Sequence, residues 1–271
     1  ELFEHADTYD IIHNHFDYLP LTYCGLTATP VVTTIHGFSS PGILPVYKKY
    51  NHKSFYVSIS DADRSPELGY IKTIHHGIDL KAFDFQSEAQ DSLLFFGRIH
   101  HDTGARQAIE IAKACHKRLI LAGIIQDQNY YNHHVAPHID NDMVIYKGSV
   151  GPAERSRLLG GACALLHPIQ FDEPFGLSVI EAMACGTPVI AFERGSMAEL
   201  IEDGKSGFLV HTVREAVDAV ARIHEIDRAA CRQHIEQNFS VARMVREYAQ
   251  VYATIVKDRR DEQPSTHPKA L

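Results

Sequence analysis

Phe171-Asp172-Glu173-Pro174-Phe175-Gly176-Leu177-Ser178-Val179-Ile180-Glu181-Ala182-Met183-Ala184-Cys185-Gly186-Thr187-Pro188 is a stretch in which local chemistry alone turns coil into helix. Pro174 and Gly176 interrupt regular structure. From Leu177 the apolar residues Leu177, Ile180 and Ala184 recur at helical spacing, and Gly186 supplies a left-handed stop. The spacing predicts a short helix that begins at Gly176-Leu177. Its first amides have no acceptor inside the helix and lie at the positive end of the backbone dipole, so they form an anion site without a basic side chain. Gly176 lets the anion approach closely. Glu173 in the loop and Glu181 about one turn into the helix flank the junction, where carboxylates accept well from hydroxyls. An isolated pair of this spacing is ordinarily one solvated loop acid and one helix acid. The Pro174-Phe175-Gly176 turn and the Gly186-Thr187-Pro188 stop move the reading toward a ligand.

Outward from this stretch, strands alternate with helices. Short β-branched or apolar runs at Val31–Ile35, Phe55–Ile59, Leu93–Phe96, Leu119–Ala122, Met143–Tyr146, Ala164–Leu166 and Val189–Phe192 predict strands covered on both faces. Ala105–Cys115 and Val213–Ile223 each carry apolar residues on one helical face. Such alternation implies parallel sheets built by right-handed crossovers. Periodicity is lost between Gly77 and Glu88, which places a first domain at 1–87 and a second at 88–239. Val241–Val256 is positioned to be a helix that crosses back to the first domain, within a segment 240–256. The polar, aperiodic remainder, 257–271, is expected to be disordered. The part before the boundary is about half the length of a complete domain of this type, so an exposed sheet edge, and association with another chain or poor solubility, are expected.

The chain has 271 residues, 45% of them hydrophobic, and a formal net charge of -8 with pI near 6.1. This is an ordinary globular composition, and the acidic balance excludes the clustered cations that nucleic acid requires. Cys24, Cys115, Cys163, Cys185 and Cys231 are odd in number and form no C-x-x-C pair, which reads as buried free thiols in a reducing compartment. No apolar run approaches the ~20 residues of a membrane span, and Glu1-Leu2-Phe3-Glu4-His5 lacks a signal-peptide layout. A cytoplasmic protein is therefore expected, with peripheral membrane contact left open. The 18 histidines include the pairs His75-His76, His100-His101 and His133-His134, and His13-x-His15, yet none has a carboxylate or thiolate at a known zinc spacing. Asp61-x-Asp63 and Asp140-x-Asp142 mimic a metal-binding D-x-D but read as cap or turn residues. No metal is expected.

With Phe95-Phe96-Gly97-Arg98-Ile99, Ile74-His75-His76-Gly77-Ile78-Asp79 and Asp203-Gly204-Lys205-Ser206-Gly207-Phe208-Leu209-Val210 added, the sequence resembles the retaining glycosyltransferases of family 4. Their E-x7-E motif, E-P-F-G-L-x-x-x-E-A-M-A-C-G-T-P-V-I-A, is matched from Glu173 to Ala191, and the resemblance runs in order from about residue 10 to 255. It implies the GT-B fold: an α/β protein of two Rossmann-like domains facing across a cleft, here with the first one incomplete.

The resemblance also implies roles. Glu181 would bind the donor ribose and Glu173 the hexose hydroxyls. Gly176 and Leu177, beside Phe175, would offer amides to the sugar or diphosphate. Arg98 matches the diphosphate-binding arginine, with a planar fork suited to phosphate oxygens, and the loop around Gly148-Ser149-Val150 borders the base. His15 and His36 each end a strand-like run, where open α/β sheets hold ligands. In relatives the position of His15 faces the sugar, and His36 with Gly37 lines the acceptor side. Glu173, Arg98 and His15 are thus the candidate catalytic residues. One departure is Thr103, where the family usually has a second cation. A hydroxyl there can still donate to the diphosphate but cannot supply charge, and Arg106, His100 or His101 would have to replace it. The function implied is retaining, metal-independent transfer of a hexosyl group, with no cofactor, from a nucleotide diphosphate sugar to a carbohydrate, lipid-linked or small-molecule hydroxyl. The alternatives are a non-catalytic nucleotide-sugar-binding subunit or an inactive truncated homologue and, last, an epimerase of similar fold.

Overall fold

The computed structural model describes residues 1–37 and 41–262, and the chain divides into two compact units. The first comprises Glu1–His75 together with the chain from Ala242 onward, and the second is His76–Val241.

In the first unit, strands β1 (Ile12–Asn14), β2 (Val31–Ile35), β3 (Phe55–Ser58) and β4 (Tyr70–Thr73) form a parallel sheet in the order β1-β2-β3-β4. All five residues of β2 are buried because both faces are covered. Val31 and Ile35 pack with Leu21, Tyr47 and Tyr56 on one side, where helix α1 (Leu44–Tyr50) contributes Tyr47. Val32 and Val57 pack with Val251 and Ile255 on the other. These last two belong to the long terminal helix Val241–Glu262, so the segment predicted to cross back to the first domain supplies two of the five buried residues on that face of the sheet. The helix runs on through Lys257–Glu262, which corrects the expectation that disorder begins at Lys257. The last buried residue of the helix is Ile255, and the turns beyond it continue the backbone ladder without a buried side chain among the described residues. Residues 263–271 of that predicted tail lie outside the described residues.

The second unit is a six-stranded parallel sheet of β5 (Ser92–Phe96), β6 (Arg118–Ala122), β7 (Val144–Tyr146), β8 (Ala164–His167), β9 (Val189–Phe192) and β10 (Gly207–Val210). Its spatial order is β10-β9-β8-β5-β6-β7. The chain winds outward from β5 to β7, returns to the other side of β5 as β8, and winds outward again. This is the doubly wound order, whose switch point lies between β5 and β8. Helices α2 (Ala105–Ala114), α3 (Gln128–Tyr130), α4 (Pro152–Gly161), α5 (Leu177–Ala184), α6 (Met197–Leu200), α7 (Val213–Arg222) and α8 (Arg228–Asn238) connect and flank the strands, and Val241–Glu262 is α9. Helix α5 stops as its sequence dictates. Gly186 has φ +89°, its N–H reaches the carbonyl of Met183 at 2.9 Å, and the N–H of Thr187 reaches that of Ala182 at 2.9 Å.

The sequence placed the domain boundary after residue 87, whereas 76–87 packs within the second unit. Arginines on α8 hold it there: Arg228 Nε donates to Gln86 O at 2.8 Å and Arg232 Nη1 to Phe83 O at 2.8 Å. Strands β4 and β10 were also not anticipated. β4 is a partly exposed edge strand, and β10 opens on Gly207, where a Cβ would sit 2.2 Å from Val189 O. Of the five free cysteines, Cys24, Cys185 and Cys231 are buried, whereas Cys115 and Cys163 are only half-buried.

Candidate functional site

The loops that leave β5 and β8 at their carboxyl ends are stitched together at the switch point. Gln170 N donates to Asp102 O at 2.7 Å. Gly104, with φ +83°, passes so near that a Cβ would lie 2.0 Å from Pro168 O, a position open only to glycine. The first loop carries Arg98 and the second carries Glu173 and the start of α5, so residues far apart in sequence converge where open α/β sheets bind ligands. The exposed Arg98 is oriented by Gln126, whose Oε1 accepts from Nη1 at 2.5 Å.

Glu173 is half-buried. Burial pushes its carboxyl above the usual glutamate range, while the Arg98 guanidinium and the Phe175 N–H oppose that rise. Gly176 caps α5 with φ +96°, and a Cβ there would lie 2.8 Å from Met197 Cε and 3.6 Å from Glu173 Cγ. The helix N-terminus therefore opens beside the acid, with Leu177 half exposed. One ring facing this acid was missed from the sequence. His167, 9% exposed, ends β8 with its Nε2 4.0 Å from Glu173 Oε2 and without a hydrogen-bond partner. Burial drives its pKa down to about 4, so the imidazole is neutral near pH 7 and the pair is a polar contact rather than an ion pair. Its signal was a histidine just beyond the run Ala164–Leu166, at the carboxyl end of a strand.

Glu181 is 8% exposed and meets Arg155 of α4, Nη1 to Oε1 3.3 Å. Burial raises its pKa and Arg155 lowers it. The Arg155 guanidinium lies over the Phe83 ring at 5.2 Å, and its buried Nε has no hydrogen-bond partner.

Other expectations change. The Thr103 hydroxyl is buried and lies 2.8 Å from the carbonyls of both Arg98 and His100, and it accepts the His100 N–H at 3.3 Å. It braces its own loop and is not presented to a diphosphate. The three candidate substitute cations already have carboxylate partners: Arg106 Nε meets Glu110 at 2.8 Å, His100 Nδ1 meets Asp102 at 2.5 Å and His101 Nδ1 meets Asp127 at 3.7 Å. The Phe175 ring is 3% exposed and packs against His76 and Phe239, 4.8 and 6.3 Å between centroids, so it anchors the loop rather than lining a ligand space. Val150 is half-buried in the loop before α4. Asp140 accepts the N–H groups of Asp142, Met143 and Val144 at 2.8–3.0 Å, the turn role read for it, and Asp61 accepts the Thr73 hydroxyl at 2.5 Å.

In the first unit, His15 and His36 lie at the carboxyl ends of β1 and β2, with His15 Nδ1 2.9 Å from His36 Nε2 and Gly37 following at φ +109°. Beneath them His13 bonds the Tyr252 hydroxyl at 2.5 Å and that of Thr34 at 2.8 Å, which also meets Tyr248 at 2.8 Å. Burial, then the charges of His15 and His36, push the pKa of His13 down to about 4.

A doubly wound domain with an arginine, an acid and an open helix start at its switch point belongs to the anion-binding α/β class. The comparison with known proteins narrows this: residues 79–238 match the family described as glycosyl transferases group 1, and the chain belongs to that family. It is 28% identical over 217 residues to glycogen synthase of Mycobacterium tuberculosis (strain ATCC 25618 / H37Rv), covering 73% of this chain and 52% of that protein. To D-inositol 3-phosphate glycosyltransferase of Paenarthrobacter aurescens (strain TC1) it is 29% identical over 181 residues, 59% of this chain and 44% of the relative. The chain thus spans about half the length of these relatives. Among solved structures, Anabaena Alr3699/HepE in complex with UDP superposes with a TM-score of 0.81 at 19% identity, covering 93% of this chain and 81% of that one. Sucrose-phosphate synthase (tll1590) from Thermosynechococcus elongatus gives 0.77 at 20% identity, covering 95% and 80%. These likenesses establish the fold as that of GT-B glycosyltransferases.

Proposed function

We propose that this chain binds a nucleotide diphosphate sugar at the β5–β8 switch point and transfers its hexosyl group, with retention and without a metal, to a hydroxyl acceptor. The observation that carries the proposal is the convergence of Arg98, Glu173 and the start of α5 on that point. The Arg98 fork and the amides at Gly176-Leu177 would hold the diphosphate and take up negative charge as it departs. Glu173 would accept from hexose hydroxyls and Glu181 from the ribose. His167 faces Glu173 from inside the domain, 4.0 Å away. Structures of Anabaena Alr3699/HepE with UDP and with UDP-glucose make uridine diphosphate sugars the first donors to try.

Calorimetric titration with UDP checks the roles. Arg98→Ala and Glu181→Ala are each expected to weaken binding at least tenfold, about 1.4 kcal/mol, and unchanged affinity in both would remove these assignments. The inward-turned Thr103 favours a second reading, a subunit that binds the nucleotide sugar without catalysis. Release of hexose from UDP-glucose by the purified chain decides between the two, since a binding module titrates with nucleotide yet releases no sugar.

A further inference from the structure

We propose that His100, His101 and Asp127 form a binding site for a divalent transition-metal ion of the zinc type. Their potential ligand atoms, one from each residue, all lie within 4.8 Å of one another. Ligands around a tetrahedral ion with bonds of about 2.0–2.1 Å stand roughly 3.3–3.5 Å apart, a distance that small side-chain rotations reach from here.

The backbone builds this arrangement. Beyond the paired ends of β5 and β6, Ile99 N donates to Ile124 O at 2.8 Å, and the N–H groups of Gln126 and Asp127 both reach Ile99 O at 3.1 Å. The loop that carries the two histidines is thereby fixed against the loop that carries the acid. Ile99 is fully buried beneath them, and the Thr103 hydroxyl braces the turn from inside. Asp127 Oδ1 accepts the Tyr130 N–H at 2.9 Å, while Oδ2 lies 3.7 Å from His101 Nδ1. The His100 ring is held by Asp102 at 2.5 Å, Nδ1 to Oδ1. A carboxylate that accepts the N–H of one ring nitrogen leaves the other as a lone pair, the arrangement that supports metal-bound imidazole.

The donor set selects the ion. Two imidazoles and one carboxylate suit zinc, cobalt or nickel, whereas magnesium and calcium prefer oxygen alone. Three protein ligands leave a position for water or an anion. The sequence could not reveal the trio, because Asp127 reaches the histidines only through the parallel pairing of β5 with β6.

This inference is independent of the donor reading, and its test uses no nucleotide. The full, untagged chain is titrated with Co2+ followed by its visible absorption, and with Zn2+ by calorimetry. One equivalent is expected to bind, weakened at least about tenfold in His101→Gln and in Asp127→Asn and unchanged in His133→Ala. The His101 side chain is 67% exposed, so its loss does not unfold the chain, and Asn can still cap α3. Mg2+ is expected not to compete. Binding that His101→Gln leaves intact, or that His133→Ala weakens equally, would overturn the site in favour of diffuse uptake by surface histidines.

Discussion

Arg228→Met is expected to lower the unfolding free energy of the second unit by about 4 kcal/mol and its melting temperature by roughly 8–16 °C. Arg228 opens α8 and spends its guanidinium on backbone: Nε donates to Gln86 O at 2.8 Å, Nη1 to Ala162 O at 3.0 Å and Nη2 to Gly160 O at 2.5 Å, with the Thr187 hydroxyl at 3.0 Å. No carboxylate is among these partners. The charge is instead taken up by carbonyls at and just past the C-terminal end of α4, where the helix dipole favours a cation. Methionine fills similar volume but leaves Gln86 O and Gly160 O without the guanidinium and Ala162 O with only the Thr187 hydroxyl at 3.4 Å, at about 1–3 kcal/mol for each acceptor that neither protein nor water reaches. Arg228→Lys, with a single ammonium in place of a planar fork, should fall between the two. Urea unfolding checks this. A loss below about 1 kcal/mol with an unchanged slope would show that water readily replaces the guanidinium.

The same residue marks where sequence reading ends. The strands Val31–Ile35, Leu93–Phe96 and Val189–Phe192 were legible because a strand covered on both faces is written as an unbroken apolar run, and β2, β5 and β9 begin and end within one residue of those runs. The start and stop of α5 were legible because glycine chemistry is local. Arg228, in contrast, sits in a polar stretch and looks like a surface cation. Its partners, near residues 86, 160 and 187, come together only in the folded sheet, and they draw 76–87 into the second unit. Thr103 departs from its expected role for a related reason: position in a motif says which loop a side chain belongs to, and the carbonyls of Arg98 and His100 in that loop decide where its hydroxyl points. His167 was overlooked because its strand was read as ending one residue too early, at Leu166.

That histidine carries the other large prediction, acid lability. An unfolded histidine titrates near 6.5 and the folded His167 at about 4, so its contribution is fully present above about pH 6.5 and is lost as pH falls from there toward 4. For this single group the loss between about pH 7.5 and 5.0 is about 2 kcal/mol, rising to about 3 kcal/mol near pH 4. His13 shifts in the same direction in the first unit, but its partial exposure makes its share smaller. Glu173 and Glu181 oppose the trend, since burial raises their pKa values and their contribution is present in acid and lost as pH rises. Both glutamates are present in parent and variant alike, so the difference between the His167→Gln variant and the parent isolates the histidine. His167→Gln keeps a polar group opposite Glu173 but cannot gain a proton, and the variant should lose about 2 kcal/mol less than the parent chain between about pH 7.5 and 5.0. Urea unfolding at both pH values is the measurement. Equal losses in parent and variant would mean that the fold leaves His167 at its unfolded titration, and a smaller loss in the parent would mean that His167 holds a proton against Glu173, 4.0 Å away.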